Sequence, residues 1–145
     1  MNAGADLIGY TPSWANAYAT TASAEMDRAI RLSKFTSIDG TPAGSGIAAK
    51  DTQAWTAALS VLGDANNPRK MLVDVPTTVN AALEITRNFV TIEWEASGSN
   101  DITKAFNGEV FRVSGGEVEM VRPGIAGDGA NFTGGGIRLL TGGGN

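Results

Sequence analysis

Beyond Met71, apolar residues recur at every second position, in short runs separated by glycine-rich turns. In the run 89–96, Val90, Ile92 and Trp94 share one face and alternate with polar residues on the other, as in a half-buried strand. Similar runs are found at 71–76, 109–113, 117–121 and 136–140. Short strands joined by turns of unequal length are typical of a sandwich, a barrel or a β-solenoid, and the periodicity leaves all three open.

One helix is strongly predicted directly before these runs. In "AAKDTQAWTAALSVLG", residues 48–63, the residues Trp55, Ala58, Leu59 and Leu62 follow the i, i+3, i+4, i+7 spacing of a single buried face. Asp51 suits the first turn of this helix, because a carboxylate is favourable near the positive end of the helix dipole. A narrower apolar stripe predicts a second short helix over 21–34, followed by a short strand at 34–39 and a loop at 40–46.

Composition excludes several classes of function. The chain has no cysteine and no histidine, a net charge of −4 and 11 scattered basic residues. A disulfide framework is therefore absent, and the commonest zinc ligand and general base are missing. Without a basic cluster we expect no binding to nucleic acid or to a membrane surface, and without metal or cofactor motifs we expect neither a metal nor a cofactor. The N-terminus has no signal-peptide pattern, which favours synthesis in a cytoplasm.

The only candidates for catalysis are two pairs of carboxylates, Glu93 with Glu95 and Glu117 with Glu119. Each pair is spaced i, i+2 on a predicted strand and so lies about 7 Å apart on one face. That separation suits the acid and base of an inverting glycosidase. Each pair lies opposite an apolar face, however, which is typical of a solvated sheet surface, and we predict that reading for both.

The order of segments resembles a known family. The chain matches a GAxLIGY-type start, a loop and helix of the D-T-x-A type, and a strand that ends in Val-Pro. The matching positions are Gly4, Ala5, Leu7, Ile8, Gly9, Tyr10, Asp51, Thr52, Ala54, Ala57, Ala58, Leu59, Val73, Val75 and Pro76. In this order, over about residues 4–127, the chain resembles the N-terminal part of bacteriophage tailspikes, which are similar to the pectate-lyase-like right-handed β-helix proteins.

The resemblance implies a mainly β fold in which short N-terminal helices cap the first rungs of a right-handed parallel β-helix, a solenoid that forms a homotrimer. Residues 1–46 would form an arm, a short helix and a strand for attachment to the virion, and residues 47–145 the capping helix with the first rungs. The helix face that carries Trp55, Ala58, Leu59 and Leu62 would close the solenoid. Aromatic and aliphatic residues of the arm would contact the phage tail, its baseplate or another spike protein: Leu7, Ile8, Tyr10 and Trp14.

The function implied is that of a structural virion protein in the phage tail, made in the host cytoplasm. A full-length spike of this family would recognise bacterial surface polysaccharide and can be a polysaccharide depolymerase, whereas we expect no catalysis from this segment. Two alternatives stay open: a polysaccharide-degrading enzyme in its own right, either glycoside hydrolase or lyase, and a carbohydrate-binding β domain. Antiparallel, hairpin-linked strands would exclude the solenoid.

Overall fold

The computed structural model describes residues 9–10, 20–21, 29–64, 69–95, 98–127 and 131–140. Over these ranges the protein is mainly β, with parallel sheets and one α-helix. The helix is α1 (Ala48–Ser60), and a 3₁₀ turn covers Leu32–Lys34. The strands are β1 (Gly9–Tyr10), β2 (Thr20–Thr21), β3 (Ala29–Arg31), β4 (Lys70–Val73), β5 (Thr77–Val79), β6 (Leu83–Ile85), β7 (Val90–Trp94), β8 (Ile102–Lys104), β9 (Phe111–Val113), β10 (Val118–Val121), β11 (Ile125–Gly127) and β12 (Ile137–Leu139).

Strands β3 to β12 form three sheets in which every neighbouring pair is parallel. Sheet I has the order β10-β7-β4-β3, sheet II the order β11-β8-β5, and sheet III the order β12-β9-β6. Three consecutive strands therefore contribute one strand to each sheet. We call β4–β6 the first layer, β7–β9 the second layer and β10–β12 the third layer.

The register shows how much chain separates one layer from the next. In sheet I, Lys70 pairs with Thr91 and Thr91 with Glu119, so the equivalent positions are 21 and then 28 residues apart. Strands that follow each other in sequence lie in different sheets, and the turns at 106–110 and 113–118 are not hairpins. An antiparallel sandwich, which the periodicity had left open, is not what these strands form.

The inward side chains of all three sheets meet in one hydrophobic core. The largest fully buried members are Trp55 of α1, Trp94 of β7 and Phe111 of β9. Their ring centroids are 5.6–6.4 Å apart, and Phe111 meets both indoles edge to face, which is a favoured geometry for aromatic rings. The predicted inward face of the longest strand is confirmed, because Val90, Ile92 and Trp94 are all buried.

The helix predicted over 21–34 is wrong where the structure describes it. Ala29–Arg31 is strand β3, which pairs in parallel with β4 and is followed by the 3₁₀ turn. Pairing with the sheet outweighs a weak helical preference. In this pairing Ile30 lies beside the buried Met71, and Arg31 forms ion pairs with Asp74 and Glu95 on the outer face of the sheet. Residues 22–28 of that prediction lie outside the described ranges. The strand predicted at 34–39 is reduced to a single bridge between Thr36 and Pro42.

Four of the three-residue strands had no sequence prediction: β5, β6, β8 and β11. Three residues give only one alternation, which is too little to separate a strand from a loop. The longer runs at 71–76, 89–96, 109–113, 117–121 and 136–140 each contain a strand, which confirms those predictions.

Near the N-terminus, β1 pairs with β2 in an antiparallel two-stranded sheet, with Gly9 opposite Thr21 and Tyr10 opposite Thr20. Three of the predicted contact residues of the arm, Leu7, Ile8 and Trp14, lie outside the described residues. Of Tyr10 the structure describes only the backbone pairing. The predicted boundary between residues 1–46 and 47–145 stays a prediction, although β3, which precedes the boundary, pairs with β4, which follows it.

Candidate functional site

Helix α1 covers the edges of β5 and β6, the strands of sheets II and III in the first layer. Its inward face is completely buried at Trp55 and Ala58, and Leu62, two residues after its end, is buried as well, whereas Leu59 is half-buried at the margin. The Trp55 indole N–H donates to Thr77 Oγ1 of β5 at 2.9 Å, so its one polar atom is satisfied inside the core. In sheet I the corresponding edge is covered by β3. We call β3 and α1 together the closed end.

Asp51 connects the closed end to the first layer. Its side chain is buried and accepts hydrogen bonds from the backbone amides of Gly44, Ser45 and Gly46 at 3.0–3.3 Å, and from the Ser45 hydroxyl at 2.8 Å. The Thr78 amide of β5 donates to the same carboxylate at 2.9 Å. One side chain therefore fixes the loop that precedes α1 and satisfies an amide at the edge of β5, since buried N–H groups require partners.

The neighbouring Thr52 extends this connection. Its hydroxyl accepts the Asn80 amide at 3.0 Å and lies 2.9 Å from Asn80 Oδ1. The consecutive pair Asp51 and Thr52 thus binds β5 and the residue that follows it. Sequence reasoning placed Asp51 in the first turn of α1 but did not foresee its contacts with β5. A short polar pair directly after a glycine-rich loop is the signal that could have indicated them.

The first carboxylate pair, Glu93 and Glu95, lies in an ion-pair network on the outside of sheet I. Glu93 contacts the Lys70 ammonium and the Arg122 guanidinium, the latter at 2.7 Å. Glu95 contacts Arg31 at 2.7 Å, and Arg31 is also 3.7 Å from Asp74. Hydrogen bonding to Lys70 is the main cause that lowers the pKa of Glu93 below its ordinary value of 4.5. A general acid requires a raised pKa, and the pKa of Glu93 is lowered. The geometry instead gives this pair a role in binding the basic side chains of other strands.

The second pair, Glu117 and Glu119, is exposed at the third layer. Glu117 has a positive φ of 54° and occupies the turn that leads into β10. Glu119 lies on the outer face of β10 and pairs in register with Thr91 of β7, two residues before Glu93. Glu117 and Glu119 do not share a cleft with Glu93 and Glu95. Within the described ranges neither Glu117 nor Glu119 forms an ion pair.

The face opposite the closed end is not covered by any described strand. The edges of β10, β11 and β12 end the three sheets there. The inward positions of this layer are apolar but accessible: Ile137 is 42% exposed and Leu139 is 78% exposed, although they continue the buried columns of Phe111 and Val113. A cavity of about 190 Å³ lies among Val113 and the four inward side chains of β10 and β12, which are Val118, Met120, Ile137 and Leu139. We call the edges of β10–β12 with these inward side chains the open end.

A buried lysine lies inside the second layer, and sequence reasoning missed it. Lys104 of β8 is only 4% exposed, and its ammonium donates to the carbonyl oxygens of Gly108, Thr133 and Gly134 at 2.8–3.1 Å. These carbonyls belong to turns of the second and third layers, so the ammonium connects two layers from within. The i, i+2 spacing from the buried Ile102 is the sequence signal that places Lys104 on an inward face.

A groove, the acidic side chains and the helix of the described ranges were the other features to consider as sites. A groove of about 330 Å³ lies between α1 and residues 82–87, but its Glu84 carboxylate is paired with Arg112 at 3.3 Å. No cluster of acidic, cysteine or histidine side chains in this part of the chain could hold a metal ion. Nor does the part that the structure describes contain a helix with the length and apolar character needed to cross a bilayer.

The site that emerges consists of two unlike ends of one core. One end is covered by β3 and α1 and fixed by Asp51, and the other presents apolar side chains and unpaired edges. Charged side chains outside the sheets connect neighbouring layers. Comparison with known proteins adds no family to this description: no protein-family model, curated protein or solved structure matches the chain.

Proposed function

We propose that this chain is the N-terminal, structural part of a bacteriophage tailspike, in which three parallel sheets form the first turns of a right-handed β-helix. In this proposal the spike is a homotrimer in the phage tail and is made in the host cytoplasm. The arm, including Leu7, Ile8, Tyr10 and Trp14, attaches it to the tail, the baseplate or another spike protein. The complete spike contacts polysaccharide on the bacterial surface.

The observation that carries the proposal is the arrangement of the strands around the closed end. Each layer adds one parallel strand to each of three sheets, and a helix covers the start of two of them. Stacked layers of this kind contact only their neighbours, so a terminal layer needs a cap to keep its core and its edge from water. The resemblance of "KDTQAWTAALSVLG" and "KMLVDVP" to the helix and first strand of tailspikes supports the same assignment.

The electrostatics support a structural role over the enzymatic alternative. Glu93 is bound by Lys70 of the adjacent strand β4, Glu95 is bound by Arg31 of β3, and the pKa of Glu93 is lowered. The general acid of such a pair, which must give a proton to the leaving sugar oxygen, needs the opposite perturbation. The parallel pairing also disfavours a free-standing sugar-binding sandwich, whose strands would be joined by hairpins.

The oligomeric state is the first test. Light scattering of the purified chain at micromolar concentration should give a mass that is a multiple of three chains. A stable monomer or an isolated dimer at that concentration would contradict the trimer. Gold-labelled antibody against the chain should bind to the tails of phage particles produced by cells that carry its gene, and labelling elsewhere on the particle would contradict the placement in the tail.

The second test addresses catalysis. Incubation with capsular polysaccharide should release no reducing ends and no unsaturated products. If cleavage is observed and Glu93→Gln with Glu95→Gln abolishes it while the chain stays folded, the enzymatic alternative replaces the structural role. Glu117→Gln with Glu119→Gln is the matched control, because it removes two carboxylates at the same spacing.

A further inference from the structure

We propose that the open end binds a second copy of the same chain, open end to open end, about a two-fold axis that passes through β11. The proposal follows from the third layer alone and does not depend on the function proposed above. A second copy and a further turn of a β-helix would occupy the same edges, so the proposed contact is one of the 145-residue chain by itself. It rests on three properties of β10, β11 and β12: where their backbone groups point, which charges they carry outside, and which side chains they carry inside.

The backbone N–H and C=O groups of the third layer point in two directions: those of alternate residues bind the second layer, and those of the residues between them point away from the molecule. The Phe111 amide donates to Gly136 and the Leu140 amide donates to Val113, so the even-numbered residues of β12 bind β9. Because alternate residues of a strand direct their N–H and C=O groups to opposite sides, Ile137 and Leu139 direct theirs away from the molecule. On β11, where the Ile102 amide donates to Gly124, the same alternation leaves the groups of Ile125 and Gly127 unpaired.

Symmetry leaves only three ways to join two open ends. The three sheets follow one another around one core, so turning a second copy over reverses their order. One edge strand then meets itself, the other two exchange partners, and all pairs are antiparallel. An isologous contact of this type is the commonest way in which identical chains associate.

Charge selects one of the three arrangements. Glu119 is the acidic outward residue of β10, and Arg138 is the outward residue of β12, 3.7 Å from the Glu109 carboxylate of its own chain. If β10 met itself, Glu119 would lie opposite Glu119, and if β12 met itself, Arg138 would lie opposite Arg138. Like charges directly opposite each other destabilise a strand pair. Only the arrangement in which β11 meets itself places Glu119 opposite the second copy's Arg138, and it does so twice.

The same register matches the inward side chains of β10 and β12. With Glu119 opposite Arg138, Val118 lies opposite the second copy's Leu139 and Met120 lies opposite its Ile137. All four are apolar, and Ile137 and Leu139 are exposed in the single chain. These are also the residues whose backbone groups point outward. Pairing these strands therefore gives hydrogen-bond partners to the backbone groups of the edge and at the same time buries the four apolar side chains.

Strand β11 is complementary to itself. In an antiparallel pair centred on Ala126, Ile125 lies opposite the second copy's Gly127. A Cβ added to Gly127 would meet no atom within 4 Å in the single chain, so this position has room for a large neighbouring side chain. On each side of the axis the large side chain of Ile125 thus faces a glycine, and Ala126 lies opposite the second copy's Ala126.

Charge reversal tests the proposal in solution. Sedimentation velocity should give wild-type particles with twice the mass of those formed by Glu119→Arg or by Arg138→Glu, each of which should raise the dissociation constant by roughly tenfold or more. The double variant Glu119→Arg/Arg138→Glu should restore the larger particle. Glu117→Arg is the control, since it makes the same change of charge in the turn before β10 and should leave the mass unchanged. Equal masses for all variants would overturn the proposal.

A steric variant tests the contact at β11. Gly127→Val should fold as a single chain, because a Cβ at this position meets no atom within 4 Å, but it should halve the particle mass by occupying the space of the second copy's Ile125. Circular dichroism checks the fold of the variant. A folded Gly127→Val chain with the wild-type mass would contradict the register.

Cross-linking fixes the position of the axis. The chain has no cysteine, so Ala126→Cys introduces a single thiol that should form an intermolecular disulfide under mild oxidation with copper phenanthroline. Thr103→Cys is the matched control: it pairs with Ala126 in register but lies one layer inward, so two copies would be about 14 Å apart and should not cross-link. Equal cross-linking of both variants would overturn the arrangement. Because this contact doubles the particle whether or not it is a trimer, its failure is distinguishable from failure of the proposed function.

Discussion

At the scale of single residues, Asp51 and Lys104 are buried charges that are satisfied by the backbone rather than by an opposite charge. Asp51 accepts from the loop before α1 and from Thr78, whereas Lys104 donates to three carbonyls of two turns. Each lies where two parts of the chain meet. A buried charge of this kind is costly unless its hydrogen bonds are complete, and it therefore favours one arrangement of the meeting segments.

Replacing Asp51 tests this role. Asp51→Asn keeps the shape of the side chain but places an NH₂ group against amides that donate to it, which leaves buried donors unpaired. We expect the free energy of unfolding to fall by about 2–4 kcal/mol, measured by urea denaturation. Asp39→Asn is the control, because Asp39 lies in an exposed loop with Lys50 and should lose less. A loss no larger than that of the control would contradict the role of Asp51.

The ion pairs of Glu93 predict a dependence of stability on pH. Its pKa is lower in the folded chain than its ordinary 4.5, so its interaction with Lys70 and Arg122 is fully present above that value and is lost as the pH falls through the folded pKa. The thermal midpoint should therefore decrease on acidification below about pH 5, and less steeply in Glu93→Gln. Glu117→Gln, which removes an exposed carboxylate without an ion-pair partner in the described ranges, should keep the steep wild-type profile. Identical profiles for wild type and Glu93→Gln would refute this assignment.

At the scale of elements, the sequence predicted those whose pattern is long enough to repeat. Helix α1 shows two full turns of apolar spacing, and β7 shows three inward residues in alternation. Strand β3 was mistaken for a helix because its three residues carry little pattern, and its identity depends on β4, which lies about 40 residues further along the chain. The hydrogen bonds of Asp51 to β5 escaped prediction for the same reason, since they depend on which strand α1 covers.

The contribution of α1 can be measured at Trp55. Trp55→Ala should cost about 3–5 kcal/mol of unfolding free energy, because it removes the ring that contacts both Trp94 and Phe111 and leaves a cavity. Trp55→Phe should cost less, since it keeps an aromatic ring and loses mainly the hydrogen bond to Thr77. Chemical denaturation followed by circular dichroism gives both values. An effect of Trp55→Ala below 1 kcal/mol would show that the helix is not part of the core.

At the scale of the whole molecule, the sequence predicted the strands but not which sheet each would join. Equivalent positions in successive layers are 21 and then 28 residues apart, so the sequence has no constant period. The repeat is visible only in the register of the paired strands. The resemblance to tailspikes suggested parallel layers, and the pairing among strands β3 to β12 is parallel. Handedness, the number of subunits and attachment to a virion remain parts of the proposal.

The two unlike ends predict a gradient of protection against hydrogen exchange. Amides of β7 that bind β4, such as Thr91, lie between covered layers and should exchange slowly. Amides of Val118 and Met120 lie at the uncovered edge and should exchange fastest among the strands in dilute solution. Exchange monitored by nuclear magnetic resonance gives residue-level rates. Uniform protection across the three layers in the dissociated chain would contradict this gradient.

The closed end gives the molecule a polarity. Since each layer contacts only the next, β3 and α1 can act as a template on which the first layer orders, and that layer can then template the second. A truncation that removes the third layer should therefore leave the layers near α1 intact, whereas deletion of α1 would expose the starting surface and impair every layer that follows. A chain built in this way can vary in length at one end during evolution while the site where its folding starts is conserved.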